Sequence, residues 1–133
     1  MAKASGIAWT TMSVDDVTGS LTDIRNDVTN LQFGTPRAVT DVTGLDSSAI
    51  ERLLLLADFS ITLNGQFNPA GSHKVLRQVT SSAVIRTTSM VVNAATLPNE
   101  VLYTDYTVVR AAGGDLNWSA AGSLADGTVP TWS

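Results

Sequence analysis

The chain has 133 residues, no cysteine, and ten Asp and two Glu against eight Lys and Arg, for a formal charge of −4. That length fits one domain with one core. The missing cysteines exclude disulfides and thiolate zinc sites, and the acidic balance disfavours tight binding to nucleic acid. The longest unbroken apolar run, Leu53 to Ala57, is far short of the roughly 20 residues that span a bilayer. Residues 1–10 lack the apolar stretch of a secretory signal, which predicts maturation in a cytoplasm and makes the sequon Asn117-Trp118-Ser119 a chance match.

Seventeen threonines with many valines and serines, and few Glu or Lys, bias the chain towards strands. In chain order, the pattern predicts a first strand over 7–14, then a turn at Asp16-Val17-Thr18-Gly19. A strand over 24–33 follows. Neither parity in it is cleanly apolar, with Ile24, Asn26, Val28, Asn30 and Gln32 against Arg25, Asp27, Thr29, Leu31 and Phe33. It reads equally as an irregular edge strand or as one whose outer side meets a neighbour or a water-filled lumen. After Gly34-Thr35-Pro36, a capping-box pattern at Ser48-Ala49-Ile50-Glu51 and apolar residues at Ala49, Ile50, Leu53, Leu54 and Ala57 have helical spacing. A strand is expected over 59–67 and a helix over 68–79, with Asn68 as cap and Pro69 in the first turn. Strands over 83–93, 100–111 and 115–124 complete six, separated by turns at Leu97-Pro98-Asn99 and Ala112-Gly113-Gly114-Asp115. Six such strands predict two sheets in a sandwich or barrel, with one flanking helix.

Catalytic constellations are not legible. The single histidine, His73, follows Ser72 on the predicted helix, where adjacent residues do not face each other, and it reads as a helix-flank residue. No G-x-S-x-G occurs. Asp15-Asp16 and Asp23 with Asp27 lack calcium-loop spacing and read as solvated acids. Gly113-Gly114 leads into a strand, so it is a turn and not a phosphate loop. Neither cofactor nor metal is expected.

Three segments together carry a resemblance. They are Ser48-Ala49-Ile50-Glu51-Arg52-Leu53 leading into Ala57-Asp58-Phe59-Ser60-Ile61-Thr62-Leu63-Asn64-Gly65-Gln66-Phe67, then Glu100-Val101-Leu102-Tyr103-Thr104-Asp105-Tyr106, and Asp126-Gly127-Thr128-Val129-Pro130-Thr131-Trp132. In order and spacing the chain resembles the major tail tube proteins of long, non-contractile-tailed bacteriophages (siphophages), which are related to the tube proteins of contractile tails and type VI secretion. The resemblance implies a single domain over 1–133: a mainly β sandwich with a helix at about 69–79, whose inner sheets join those of neighbours into a barrel in a hexameric ring. It implies an N-terminal arm at about 1–14, an inter-ring loop at about 34–56, and a C-terminal segment at about 125–133. It also favours loop plus strand over 44–56, against the helical spacing. Leu53 to Leu56 are apolar on both strand faces, so an extended arrangement there needs partners on both.

The implied function is passive: stacked rings in a virion tail, assembled in the bacterial host cytoplasm on a tape measure protein, with tail terminator and tail tip proteins as further partners. Double-stranded DNA passes without specific binding, and no membrane is involved. Ring stacking is expected from Leu45, Asp46, Ser47, Ser48, Ile50, Glu51, Arg52 and Leu53, and the lumen is expected to be faced by Asp27, Asn30, Asp41 and Thr43. A lumen with few cations suits the transit of a polyanion. The rival from another class is a soluble ligand- or carbohydrate-binding sandwich stacking sugars on Tyr103, Tyr106 or Trp9, with a small aspartate hydrolase behind it. Trp118 is expected in the core.

Overall fold

The computed structural model describes residues 9–16, 18–79, 81, 85–125 and 127–133. Nine strands and one short helix follow in order: β1 Trp9–Asp15, β2 Leu21–Asp23, β3 Val28–Gly34, β4 Arg37–Asp41, β5 Arg52–Ala57, β6 Ser60–Gln66, α1 Ser72–Leu76, β7 Arg86–Val92, β8 Ala95–Arg110 and β9 Leu116–Leu124. Seven of them make one antiparallel sheet in the order β2-β1-β7-β8-β9-β6-β3, and β4 and β5 pair by themselves.

The sheet becomes two layers because of β8. Its first half, to Val101, pairs with β7, and its second half, from Val101, pairs with β9, with a register shift between Tyr103 and Asp105 that turns the strand. The layers β2-β1-β7 and β9-β6-β3 therefore close over a common core, and Trp9 on β1 meets Phe33 on β3 edge-on, with ring centroids 6.1 Å apart. This is the expected sandwich, built from one folded sheet. Met12 and Val14, Met90, Leu97 and Val101, Ile61 and Leu63, and Trp118 and Ala120 alternate inward from their strands, and Val75 and Leu76 of α1 cover one end. Trp118 is in the core as expected, and its Nε1 donates to the Gln66 carbonyl at 2.9 Å.

Several boundaries differ from the sequence expectation, each for a local reason. The turn expected at Leu97-Pro98-Asn99 is strand: Pro98 lies opposite Ser89 within β8, two residues from Thr96 and Glu100, whose backbone groups bond away from β7 to Ser133 and Ala125, so at the same parity its missing N–H costs no bond to β7. The chain reverses instead at Asn93 and Ala94, both with positive φ (47° and 70°), the pair a tight two-residue hairpin needs. The strand expected from 24 starts only at Val28, because Asp23 Oδ1 accepts from the Arg25 and Met12 amides and a single 3-10 turn follows. The helix is shorter than 68–79. Asn68 caps the turn before it, accepting from the Ala70 amide, and Gly71 stands at the helix N-cap. Of the arm expected over 1–14, residues 9–14 belong to β1, and 1–8 lie outside the described residues, as do Val17, residues 83–84 of the strand expected over 83–93, and Asp126.

Two buried polar groups were invisible in the sequence. Arg86 is 1% exposed, and its guanidinium donates to the carbonyls of Asp15 and Val75, tying β7 to β1 and α1. Tyr103, proposed above as an exposed platform, is 5% exposed and shares a 2.8 Å hydrogen bond with Thr88. Burial pushes its hydroxyl up to about 12, although Thr88 and the Arg86 charge favour the phenolate. Between the unfolded value of about 10 and about 12, the folded protein holds a proton that the unfolded chain has released. Stability therefore falls as pH rises through that window, by about 3 kcal/mol in full. Urea midpoints measured from pH 9 to 12 should show this fall in the native protein and its loss in Tyr103→Phe.

Candidate functional site

The feature that stands out is the pairing of β4 with β5. Gly34 faces Ser60 at the end of the β3–β6 pair, Arg37 faces Ala57 just beyond, and Asp41 faces Arg52 further on. The register runs straight through the neck at Pro36 and Asp58, where the Asp58 amide donates to the Pro36 carbonyl at 2.9 Å. β3–β4 and β5–β6 are thus one long two-stranded ribbon. Its first half belongs to the sheet and its second half leaves it.

The projecting half is stitched internally. Arg37 donates from Nε and Nη2 to the Leu55 carbonyl at 3.2 and 2.8 Å, across the register shift between Arg37 and Val39. At the far end, the Thr43 hydroxyl binds Asp41 Oδ1 at 2.6 Å and accepts from the Glu51 amide at 2.8 Å, and the Val42 amide donates to the Glu51 carbonyl. Hydrogen bonds from the Thr43 hydroxyl and amide hold the Asp41 carboxyl below its usual range, so it stays negative.

None of the described residues covers these strands. Leu53, Leu54, Leu55 and Leu56 are 53, 59, 40 and 87% exposed, Val39 and Val42 about half, and Leu45 at the tip fully. Successive strand residues point to opposite faces, so both faces of the ribbon are apolar and wet. A lone two-stranded hairpin is at best marginal in water, and an apolar surface of this extent marks an interface. The helical spacing over 48–57 is overridden, because in β5 the same leucines serve two faces.

The second surface is the outer face of β3, β6, β9 and β8. Asn30, Asn64, Ser119 and Thr107 form one row, Gln32, Thr62, Ala121 and Asp105 the next, and Gly34, Ser60, Ser123 and the exposed Leu102 a third. Among these positions Asp105 is the only charge. Gln66 and Asn117 extend the face and bond to each other at 2.7 Å.

Of the residues expected to face a lumen, Asn30 lies on this face. Asp41 and Thr43 are exposed but sit on the ribbon. Asp27 is a correction: it is 9% exposed, and its two carboxylate oxygens accept from Asn68 Nδ2 and the Ser72 amide, each at 3.0 Å. It ties the start of β3 to the start of α1 and is neither a solvated acid nor a surface residue. Asp27→Ala leaves the buried Ser72 amide and the half-buried Asn68 side-chain amide without their acceptor and is expected to cost roughly 3 kcal/mol, with Asp27→Asn recovering part of it. Urea denaturation measures this, and a loss below about 1 kcal/mol would show the tie to be peripheral. The residues expected to stack rings, Leu45, Asp46, Ser47, Ser48, Ile50, Glu51, Arg52 and Leu53, all lie in the ribbon tip or the first two positions of β5. All are exposed except Ser47, which is half-buried, its amide bonded to the Gly44 carbonyl and its hydroxyl to Glu51.

His73 is partly buried between Phe67 and Tyr106, with Nδ1 3.0 Å from the Tyr106 hydroxyl. The contact pins α1 to β8.

No protein-family model and no curated protein matches the sequence. Among solved structures, the chain is similar to one from the tail of an empty gene transfer agent (GTA) particle, obtained by helical refinement with C6 symmetry. The two share 19% identity at a TM-score of 0.79, over 99% of this chain and 98% of that one. It is likewise similar to a chain of the native GTA virion, at 17% identity and a TM-score of 0.78, over 99% of each chain. At these identities the likeness is one of fold, and it extends over nearly the whole of both chains.

Proposed function

We propose that the protein is a structural subunit of a phage-like virion tail and, within the tail, the tube: hexameric rings stacked into a passive conduit for genome delivery. The observation that carries this is the end-to-end fold agreement with a chain from a GTA tail. The exposed ribbon supports it independently, because a strand pair apolar on both faces is what an assembling subunit presents before assembly. In this scheme, residues 44–53 of the ribbon contact the adjacent ring. The mainly polar outer face of β3, β6, β9 and β8, with Asn30 and the acidic Asp105 in it, lines the lumen, where amides, hydroxyls and a carboxylate give DNA phosphates no cation to bind. Tape measure, terminator and tip proteins are the further partners, the virion tail is its place, and the bacterial cytoplasm is where it assembles. A siphophage-type, non-contractile tail is the preferred setting. The ligand-binding alternative loses one of its platforms to the core, since Tyr103 is buried.

Negative-stain microscopy across protein concentrations, paired with light scattering, tests the proposal. Hollow rings or tubes with six-fold end views are expected. A protein that stays monomeric at high concentration, with a tape measure protein present, would falsify it.

A further inference from the structure

The register places two apolar surfaces at opposite ends of the same strands. The ribbon leaves the sheet where Gly34, Ser60 and Ser123 lie in a row. At the other end, past the row of Gln66 and Asn117, β8 and β9 run on to a turn closed by the Ala111 amide on the Asp115 carbonyl. At this end Val109 stands beside Asn117 in that row, Val108 beside the core residue Trp118 and Leu116 beside Arg110, and the three are 55, 40 and 39% exposed. At the root of the ribbon, Pro36, Arg37, Ala38, Leu56, Ala57 and Asp58 line a cleft of ≈ 500 Å³.

We infer that the β8–β9 hairpin tip of one copy is the seat for the ribbon of the next, with Val109 and Leu116 against the leucines of β5. This rests on the tail-tube proposal and adds to it the surface that receives the ribbon. The occupant is a second copy because every copy carries both surfaces, one at each end. A contact joining unlike surfaces leaves one of each free at the ends of the stack, so it propagates without closing and makes a filament. A partner of another kind on the ribbon would leave the opposite tip bare.

The dimensions explain why such a contact acts only in rings. The six residues of β5, paired with the five of β4, give the ribbon a length of about 20 Å and a width of about 10 Å, on ordinary strand spacings. One face is then on the order of 200 Å², well below the roughly 800 Å² per partner of a stable pairwise interface. A single ribbon does not hold two subunits together, but several acting at once between two rings do, through their effective concentration. Lateral ring closure therefore precedes stacking.

The chain has no cysteine, so introduced thiols are unique. Leu54→Cys and Val109→Cys proteins, co-assembled in equal amounts and treated with a short bis-maleimide, are expected to give a covalent dimer joining positions 54 and 109. Leu54→Cys paired with Thr62→Cys, on the outer face of β6, should give none. Tubes that form without a 54–109 link overturn the inference and leave the tail-tube proposal standing, whereas native protein that forms no tube removes both. In a second measurement, the double variant Val109→Asp, Leu116→Asp should give rings that do not stack. Tubes of ordinary length from that variant also overturn the inference.

Discussion

Gly65→Ala is expected to abolish folding at 37 °C or to cost at least about 4 kcal/mol, more than any other single change considered. Gly65 sits in β6 between Val28 of β3 and Trp118 of β9. A Cβ built there falls 1.9 Å from the Asp27 carbonyl oxygen and 2.9 Å from Trp118 Nε1. Neither neighbour can step aside. The Asp27 backbone is fixed by its own side chain on Asn68 and Ser72, and the indole is held in the core by its bond to Gln66. Gly113→Ala is the matched control, since a Cβ there meets nothing within 4 Å. Its stability should stay within about 0.5 kcal/mol of native. Thermal melts of the two variants make the comparison, and similar losses in both would remove the claim that β3 and β6 are clamped at Gly65.

The second large effect falls on assembly and leaves the fold alone. In Leu54→Asp, Leu56→Asp both new carboxylates replace side chains that are 59 and 87% exposed in the single copy, so the melting temperature of the subunit should hardly move. Under the tail-tube proposal the same positions are covered in the assembly. Each substitution then forfeits about 1.5–3 kcal/mol of apolar burial and adds the cost of desolvating a charge. The two together should raise the concentration needed for tube formation at least about 100-fold. Sedimentation of assembled material against concentration measures the threshold, and an unchanged threshold would show that the ribbon stays exposed to water in the tube. Leu53→Asp, on the other face of β5, separates a contact through one face from a contact through both.

Much of the fold was legible because strand alternation survives in the sequence. Ser60, Thr62, Asn64 and Gln66 outside, against Ile61, Leu63 and Gly65 inside, is a plain period of two, and 115–124 follows the same rule. The errors arise where two local rules compete. Leu53 to Leu56 satisfy both a helical stripe and a two-faced strand, and only tertiary context chooses between them. Pro98 marks a turn in most settings but is harmless where its nitrogen faces away from the paired strand, while the true reversal uses Ala94 at φ 70°, a residue type that announces no turn.

The candidate site was legible in part. The leucines of the ribbon could be found from composition alone, since four in a row cannot all be hidden by one sheet layer. The polar face could have been assembled from the outward residues of 60–66 and 117–123, but attention to 24–33 recovered Asn30 and missed the rest. Asp27 was misplaced because its partners, Asn68 and the Ser72 amide, are about 40 residues away in sequence, and no local pattern encodes a carboxylate clasped across that distance.

In a tube of the proposed kind, the leucines of the ribbon also set how assembly responds to cold. Covering apolar surface is driven by entropy near room temperature and carries a large negative heat capacity change, so its free energy weakens on cooling. A tube whose rings are joined mainly through Leu53 to Leu56 should bind its end subunits more tightly at 30 °C than on ice, which makes a chilled stock the condition under which the ends of the tube are least secure.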